Sequence, residues 1–201
     1  TSRDGATDFR VYTEAEKATV REVLLAFAAV ANLTFVETLS QTAQLRFSIE
    51  TLNAGVAGDA QSPSVGHIGI TDSVQAGLIR LSPSVPSNDG DGTGKVSKYI
   101  YNTMAHEIGH ALGLNHPQVF QFDNAETRTD SQLNDLEDSY THTVMSYDQS
   151  QAFTKETKAF DIAALQYIYG VNEAARSGDD TYYFGDQNPS HLVWDGAGND
   201  T

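Results

Sequence analysis

The segment HEIGHALGLNH, from His106 to His116, holds three of the six histidines of the 201-residue chain. His106 and His110 are four residues apart, so on a helix both imidazoles lie on one face, one turn apart. Gly113 permits the positive φ of a sharp turn, which would bring His116 back towards the other two histidines. The spacing therefore predicts a zinc ion bound by three histidine nitrogens at roughly 2.0–2.1 Å.

Three protein ligands would leave one position of a tetrahedral zinc ion open, which is typical of catalytic zinc and not of structural zinc. Water is the expected fourth ligand. The carboxylate of Glu107, next to the first histidine, can take a proton from that water. A chance match to five fixed residue types is rare, on the order of one in ten thousand or less. His67, His142 and His191 are isolated in the sequence and are expected to make ordinary hydrogen bonds.

Caps and hydrophobic periodicity predict three helices that position these residues. Thr13 and Glu16 have the spacing of a capping box, and apolar residues follow at helical intervals. The second helix carries the histidines. The third is predicted to begin with Asp161 as its N-cap and to end at Gly170. The helices are expected over about residues 14–31, 97–112 and 161–170.

Four stretches rich in β-branched and aromatic residues alternate partly between apolar and polar side chains, which is typical of strands. They lie between the first and second helices. The order helix, strands, helix, irregular segment, helix predicts an α+β fold and not a doubly wound sheet. The four predicted strands span residues 33–38, 43–50, 65–71 and 77–82.

The chain has a formal net charge of −15 at pH 7 and contains no cysteine. The charge makes nucleic acid and anionic membranes poor partners, and it fits a solvated surface as well as it fits cation binding. The absence of cysteine excludes disulfides and thiolate metal sites. The longest apolar run, Val23 to Ala31, is too short to cross a bilayer. No signal-peptide pattern opens the sequence, so leaderless export is the expected route.

A methionine turn, Val144 to Tyr147, follows the histidine motif, and the two together form the metzincin pattern. Within the metzincins the sequence resembles the serralysin family of bacterial zinc proteases. Three features carry this resemblance: Pro117 directly after the third histidine, Tyr147 two residues after the methionine, and the stretch DIAALQYIYGVN. Asp148 stands where serralysins often have tryptophan, a departure that bears on the shape of the nearby pocket and not on the chemistry.

The resemblance implies a metzincin fold, with a twisted five-stranded mixed sheet, a long N-terminal helix, an active-site helix and a C-terminal helix. Residues 65–71 would be the edge strand, along which a peptide substrate lies in extended form. Glu107 would be the catalytic base, and Tyr147 a hinged zinc ligand whose hydroxyl also hydrogen-bonds the oxyanion. Met145 would form the apolar floor of the site, and Gly113 its structural turn.

Beyond Val171 the sequence becomes rich in glycine, aspartate and asparagine, and it resembles the start of the serralysin calcium-binding repeat domain. Calcium sites of this kind use carboxylates and backbone carbonyls in glycine-rich turns. Asp180 stands where the family usually has threonine, and Ala197 where it usually has glycine. A flexible acidic tail is the alternative. Carried over by position, the calcium ligands would be Arg176, Gly178, Asp180, Asp195, Ala197, Gly198 and Asp200.

The expected protein is therefore a secreted, monomeric bacterial zinc endopeptidase of broad specificity, exported by a type I route. Residues 1–170 would form its catalytic domain and residues 171–201 a truncated start of the repeat domain. Protein substrates, and a protein inhibitor as a further candidate, would be its partners. Pro117 argues against an astacin and Tyr147 against a matrixin. A catalytically inactive, calcium-binding adhesin-like module on the same scaffold is the alternative, and the intact Glu107 argues against it.

Overall fold

The computed structural model describes residues 10–40, 42–61, 77–85, 97–117, 133–134, 136–148, 155–183 and 192–201. In this part of the chain a helix is followed by three strands and two more helices, so a mixed α and β fold with the three predicted helices is confirmed. The helices are Glu14–Val30 (α1), Lys98–Ala111 (α2) and Ala159–Tyr169 (α3). The strands are Arg46–Ile49 (β1), Gly58–Ala60 (β2) and Leu78–Leu81 (β3).

Both halves of the predicted capping box begin α1. Thr13 Oγ1 accepts from the backbone N–H of Glu16 at 3.2 Å, and the Glu16 carboxylate accepts from the backbone N–H of Thr13 at 2.7 Å. Although Glu16 is buried, it also accepts two hydrogen bonds from the Arg10 guanidinium, at 2.8 and 2.9 Å. The backbone of Arg10 pairs with Ile49 in β1. The start of α1 is therefore tied to the sheet.

The sheet has the order β1-β3-β2, with β3 parallel to β1 and antiparallel to β2. Ile49, Ile79 and Leu81 are almost completely buried on one face, and α2 packs against β2 and β3. On the other face Arg80 lies opposite Asp59, and its Nε donates to the Asp59 carboxylate at 2.6 Å. Strand β2 lies at one edge of this described sheet.

Helix α2 lies between α1 and the sheet, and ten of its 14 residues are buried. A helix that is buried almost all round carries few acidic or basic side chains, and those of α2 are Lys98 at its start, Glu107 and the two histidines. Ile100, Met104 and Ile108 form its apolar contribution to the core, and each is at most 2% exposed. Burial of a side chain of this size contributes about 1.5–3 kcal/mol. The residues with metal-site spacing are thus carried by the most deeply packed helix.

Two predictions about the elements were wrong. Residues 33–38 form no strand: Leu33 and Phe35 are half-buried and Val36 is exposed, but no described strand pairs with them. An alternating pattern shows which side chains face the core and does not supply a pairing partner. Asp161 is not the N-cap of α3, because Lys158 occupies that position and Asp161 lies buried in the first turn.

The other predicted boundaries have mixed outcomes. The first two helices are confirmed to within one residue, and so is the end of α3 at Gly170, which has φ +83°. The predicted strands over 43–50 and 77–82 contain β1 and β3. The predicted strand 65–71 lies outside the described residues, and the five-stranded sheet stays a prediction. No described helix has the length and apolar character that a membrane span requires.

The first prediction concerns the buried carboxylate at the start of α1. Burial acts against it, but the hydrogen bonds from Arg10 and Thr13 hold the pKa of Glu16 below its ordinary value. We expect Glu16→Gln to lower the free energy of unfolding by about 1–3 kcal/mol. The NH2 group of the glutamine would replace one carboxylate oxygen and would face the N–H donors of Arg10 and Thr13 without accepting from them. Glu14→Gln is the matched control, since Glu14 makes only an exposed pair with Lys17 and its replacement should cost much less than that of Glu16. Urea unfolding curves with equal losses for the two variants would contradict the prediction.

Candidate active site

The three histidines of the predicted site converge at the end of α2. Nε2 of His116 lies 3.0 Å from Nε2 of His106 and 2.9 Å from Nε2 of His110. Each ring offers a nitrogen, and these three atoms all lie within 4.8 Å of one another. A tetrahedral zinc ion with Zn–N distances of about 2.0–2.1 Å would hold its ligand nitrogens about 3.3 Å apart. The two distances to His116 are therefore within a few tenths of an ångström of those in a three-nitrogen metal site.

A sharp turn after α2 brings His116 back to the helix. Gly113 has φ +99°, in the region that favours glycine. Its N–H donates to His110 O at 2.9 Å, and the N–H of Leu114 donates to Gly109 O at 2.9 Å. These two bonds form a Schellman motif, which satisfies the last carbonyls of the helix. The local sequence therefore determines the reversal that assembles the three rings.

Backbone carbonyls hold two of the rings in place. Nδ1 of His106 donates to Val144 O at 2.8 Å, and Nδ1 of His110 donates to Leu114 O at 2.9 Å. Because a carbonyl only accepts, each neutral ring carries its proton on Nδ1 and presents a lone pair from Nε2. Lone pairs that converge on one point repel one another unless a cation lies between them. The donor set thus fits zinc, which binds neutral imidazole nitrogens.

Burial keeps these rings uncharged at neutral pH. Desolvation, followed by the nearby His110, lowers the pKa of His106 to about 3 and that of His116 to about 4. Desolvation also lowers the pKa of His110. The carboxylate of Asp138 acts in the opposite direction on His116; Asp138 is itself buried, and its Oδ1 has no hydrogen-bond partner in the described part of the chain. Metal binding would therefore displace no proton from the histidines at neutral pH.

The methionine turn lies directly beneath α2. Met145 is 2% exposed, and its Sδ would lie only 2.8 Å from a Cβ atom built at Gly109. Glycine at this helical position therefore lets the sulfur approach the helix backbone below the histidines. A larger residue at position 109 would displace the methionine, and with it the turn that holds Val144.

Tyr147 lies beside the histidines and is about half exposed. Its ring centroid is 5.4 Å from that of His106, in a stacked arrangement, and 4.6 Å from that of His116. Burial, with the charge of Glu107 as the second cause, raises the pKa of its hydroxyl. The phenol is therefore protonated at neutral pH and can donate a hydrogen bond at the metal site.

A buried aspartate on α3 holds the methionine turn. Asp161 is 1% exposed and accepts from Thr143 Oγ1 at 2.6 Å and from Val144 N–H at 2.9 Å. Burial raises its pKa to about 6, with the hydrogen bonds from Thr143 and Val144 acting in the opposite direction. The carbonyl of the same Val144 orients His106. Asp161 therefore supports a histidine through one residue, Val144, although its sequence position had predicted a helix cap.

Glu107 follows His106 on α2 and is buried, with 6% of its surface exposed. Burial, with the charge of Asp59 as the second cause, raises its pKa to about 8. Strand β2 passes over this side chain at Gly58, where an added Cβ would lie 2.9 Å from Glu107 Oε1. The sequence analysis did not identify β2, because its three residues, Gly58–Ala60, include no β-branched or aromatic side chain.

The C-terminal segment brings three of the predicted calcium ligands together. Carboxylate oxygens of Asp180, Asp195 and Asp200 lie within 4.8 Å of one another. Two backbone hydrogen bonds join the segment around Asp180 to the C-terminal residue Thr201. Tyr182 N–H donates to Thr201 O at 2.7 Å, and Thr201 N–H donates to Asp180 O at 3.0 Å. Tyr182 also donates a short hydrogen bond to Asp195. Three carboxylates this close repel one another unless a cation or protons separate them.

The other predicted calcium ligands lie along the same two segments. Arg176 has φ +50°, and its guanidinium lies 5.7 Å from the ring centroid of Tyr182. Gly198 has φ +138° and lies against the Gly178 carbonyl, where a side chain would not fit. The N–H of Ala197 donates to an Asp195 oxygen at 3.1 Å. The backbone conformation of these residues is therefore that of a tight, glycine-dependent turn.

Comparisons with known proteins agree with this site. A peptidase family model described as matrixin matches residues 5–122. The chain is 30% identical to a serralysin of Photorhabdus laumondii over 97% of its own length and 44% of the relative. It is 31% identical to the metalloprotease AprA of Pseudomonas entomophila over 98% of its length and 44% of the relative. A serralysin of Proteus mirabilis is 37% identical over 56% of this chain and 27% of the relative. The chain thus spans less than half the length of these curated relatives.

The second prediction tests the support from α3. We expect Asp161→Asn to weaken zinc binding by about 10–100-fold, because the amide would lose one of the two bonds that hold the Thr143–Val144 turn behind His106. The variant should also lose about 1–3 kcal/mol of unfolding free energy. Glu156→Gln, a half-exposed carboxylate change near the start of the same helix, is the control. Competitive zinc titration checks the first effect, and unchanged zinc affinity in Asp161→Asn would refute the proposed support.

Proposed function

The chain belongs to the matrixin peptidase family and to the serralysin family of metzincin metalloproteases, and on this premise we propose that it is a zinc-dependent endopeptidase. One observation carries the proposal: the Nε2 atoms of His106, His110 and His116 converge, and Glu107, the residue after the first of these histidines, is buried. The three histidines would hold the zinc ion. When bound, zinc would supply a Lewis acid that lowers the pKa of a water and polarises a peptide carbonyl.

Glu107 is proposed as the general base and acid. Glu107 follows His106 directly, and its carboxylate is buried. It would therefore exchange protons with groups bound in the site and not with bulk solvent. The charge of a bound zinc ion would lower the pKa of this carboxylate from the value of about 8 that burial gives it. The ionised Glu107 would then accept a proton from the attacking water and deliver it to the nitrogen of the leaving amine. A glutamate with no role in the chemistry has no reason to occupy a desolvated position beside three metal-binding rings.

Tyr147 is proposed to act on the substrate oxyanion. Its ring stacks against His106 but stays half exposed, so it can turn away when a substrate enters. The hydroxyl would be a fourth protein ligand in the free enzyme and would donate a hydrogen bond to the carbonyl oxygen as negative charge develops. Stabilisation of this kind acts in the transition state and not in the ground state.

The substrate is proposed to be an extended peptide on the free edge of the sheet. In the described residues this edge belongs to β2, which passes directly over Glu107. We therefore propose Gly58–Ala60 as part of the substrate edge, while the edge strand expected over residues 65–71 lies outside the described residues and stays a prediction. Backbone hydrogen bonds to a strand edge depend little on side chains, which supports a broad specificity.

The C-terminal residues 171–201 are proposed as the start of a calcium-binding repeat domain that follows a catalytic domain of residues 1–170. The cluster of Asp180, Asp195 and Asp200 would bind calcium with backbone carbonyls of the adjacent turns. We also propose, from the family, that the protease is secreted and monomeric. Protein substrates are the proposed partners, and an inhibitor remains a candidate partner. An inactive adhesin-like module is not favoured, because an inactive site requires no buried Glu107.

The third prediction tests the base. Glu107→Gln should retain zinc and the fold, because glutamine has nearly the same shape, but should lower kcat by about 10²–10⁴-fold because it cannot accept a proton. Casein and peptide hydrolysis, with and without a zinc chelator, provide the measurement. Glu37→Gln is the control, because Glu37 is an exposed carboxylate that forms a surface ion pair with Arg21. Wild-type kcat in Glu107→Gln would exclude this residue as the base, and hydrolysis unaffected by the chelator would exclude zinc.

The fourth prediction tests calcium. A ligand at a hundredfold excess over its Kd stabilises the folded state by about 2.7 kcal/mol, which for a chain of this size corresponds to roughly 5–10 °C in melting temperature. Asp200→Ala should reduce this shift, whereas Glu173→Gln, in the same segment but outside the carboxylate cluster, should leave it unchanged. A shift no larger than that in sodium chloride of matched ionic strength would favour a solvated acidic tail.

A further inference from the structure

Gly58 of β2 lies unusually close to the side chain of Glu107. A Cβ atom built at Gly58 would lie 2.8 Å from Glu107 Cγ, 2.9 Å from Glu107 Oε1 and 3.0 Å from Leu81 Cδ2. Ordinary van der Waals contacts of a Cβ atom begin at 3.4 Å. Any side chain at this position would therefore have to displace the glutamate by about half an ångström, or the strand would have to move.

The backbone conformation does not explain the glycine. Gly58 is not among the residues with positive φ and lies in a regular antiparallel ladder opposite Leu81. Other amino acids adopt this conformation readily, and glycine within a strand weakens it. The feature that requires glycine is consequently the space taken up by Glu107.

Strand β2 is held so that it cannot retreat from the glutamate. Its hydrogen bonds to β3 continue on both sides, from Ser82 N–H to Ala57 O at 2.8 Å and from Gln61 N–H to Leu78 O at 2.9 Å. The next residue, Asp59, is fixed by two hydrogen bonds from the Arg80 guanidinium. A side chain at position 58 would thus push on Glu107 and not on the strand.

The glutamate has only one direction in which to yield. Its backbone lies in the middle of α2, which is buried between α1 and the sheet. The opposite side of that helix rests on the methionine turn, with Met145 against Gly109. The carboxylate would therefore be the part that moves, and it is the part that must meet the water and the substrate.

We propose that Gly58 is a positioning residue: the absence of a side chain on the edge strand fixes the place of the Glu107 carboxylate at the metal site. This inference rests on the proposed function for its effect on catalysis, while the steric contact itself does not depend on that function. Because Gly58 has no side chain, the backbone of β2 lies close to Glu107. A peptide bound along β2 would therefore present its backbone to Glu107.

The experiment begins with Gly58→Ala. We expect it to keep its zinc and to lower kcat by about 10–100-fold, in line with the effect of a small misplacement of a catalytic group, with a smaller change in KM. Gly55→Ala is the matched control. Gly55 has φ +84° and no atom within 4 Å of an added Cβ, so this variant adds backbone strain without touching Glu107. It should lower the melting temperature and leave kcat unchanged.

A double-mutant cycle with Glu107→Ala separates positioning from a general structural defect. Gly58→Ala should lower the melting temperature of the wild type more than that of the Glu107→Ala protein, in which the two closest atoms, Cγ and Oε1 of Glu107, are gone and only Leu81 Cδ2 remains. If Gly58→Ala alone does not fold, recovery of folding in the double variant supports the contact. An unchanged kcat in Gly58→Ala, or an equal loss of melting temperature in both backgrounds, would overturn the inference. A wild type that hydrolyses no peptide would refute the proposed function instead, and the thermal cycle would still report on the contact.

Discussion

The hydrogen bond from His106 Nδ1 to the carbonyl of Val144 is the contact on which the rest of the site depends. It joins the active-site helix to the methionine turn, and the amide of the same Val144 is held by Asp161 on α3. One residue, Val144, thus links His106 on α2 to Asp161 on α3, two residues that are more than fifty positions apart in the sequence. It also decides which nitrogen of His106 carries the proton, and hence that the other nitrogen is available to a metal.

The polar groups around this contact are buried, and each buried group needs partners. Asp161 meets this requirement with bonds from Thr143 and Val144, and His110 meets it with the Leu114 carbonyl. Interactions of this kind are stronger in a dry interior than in water, and groups left without partners there are costly. The converging histidine nitrogens form a set of donors that suits a single cation. The architecture therefore prepares the metal site before any metal binds, and metal binding should stabilise the fold in return.

The parts of the site that could be predicted from the sequence are those fixed by local geometry. The spacing of His106 and His110 follows from the helical repeat, and the return of His116 follows from the one glycine that can form the turn. Gly58 and Asp161 could not be found in this way. Gly58 matters because β2, about fifty residues before Glu107 in the sequence, passes over that side chain. A contact between residues so far apart cannot be predicted from the local sequence pattern. Asp161 was predicted as a cap because aspartate is common at the N-terminus of a helix. In the folded chain it is buried, and its oxygens accept hydrogen bonds from Thr143 and Val144 instead.

The central claim is that three histidines of this chain bind one zinc ion at a site that hydrolyses peptides. The measurement that tests it most directly is zinc analysis of the purified protein combined with X-ray absorption at the zinc edge. We expect one zinc per chain with three nitrogen ligands at about 2.0–2.1 Å, and loss of both the metal and this signal when His116 is replaced by alanine. A full complement of zinc with an unchanged spectrum in that variant would contradict the claim.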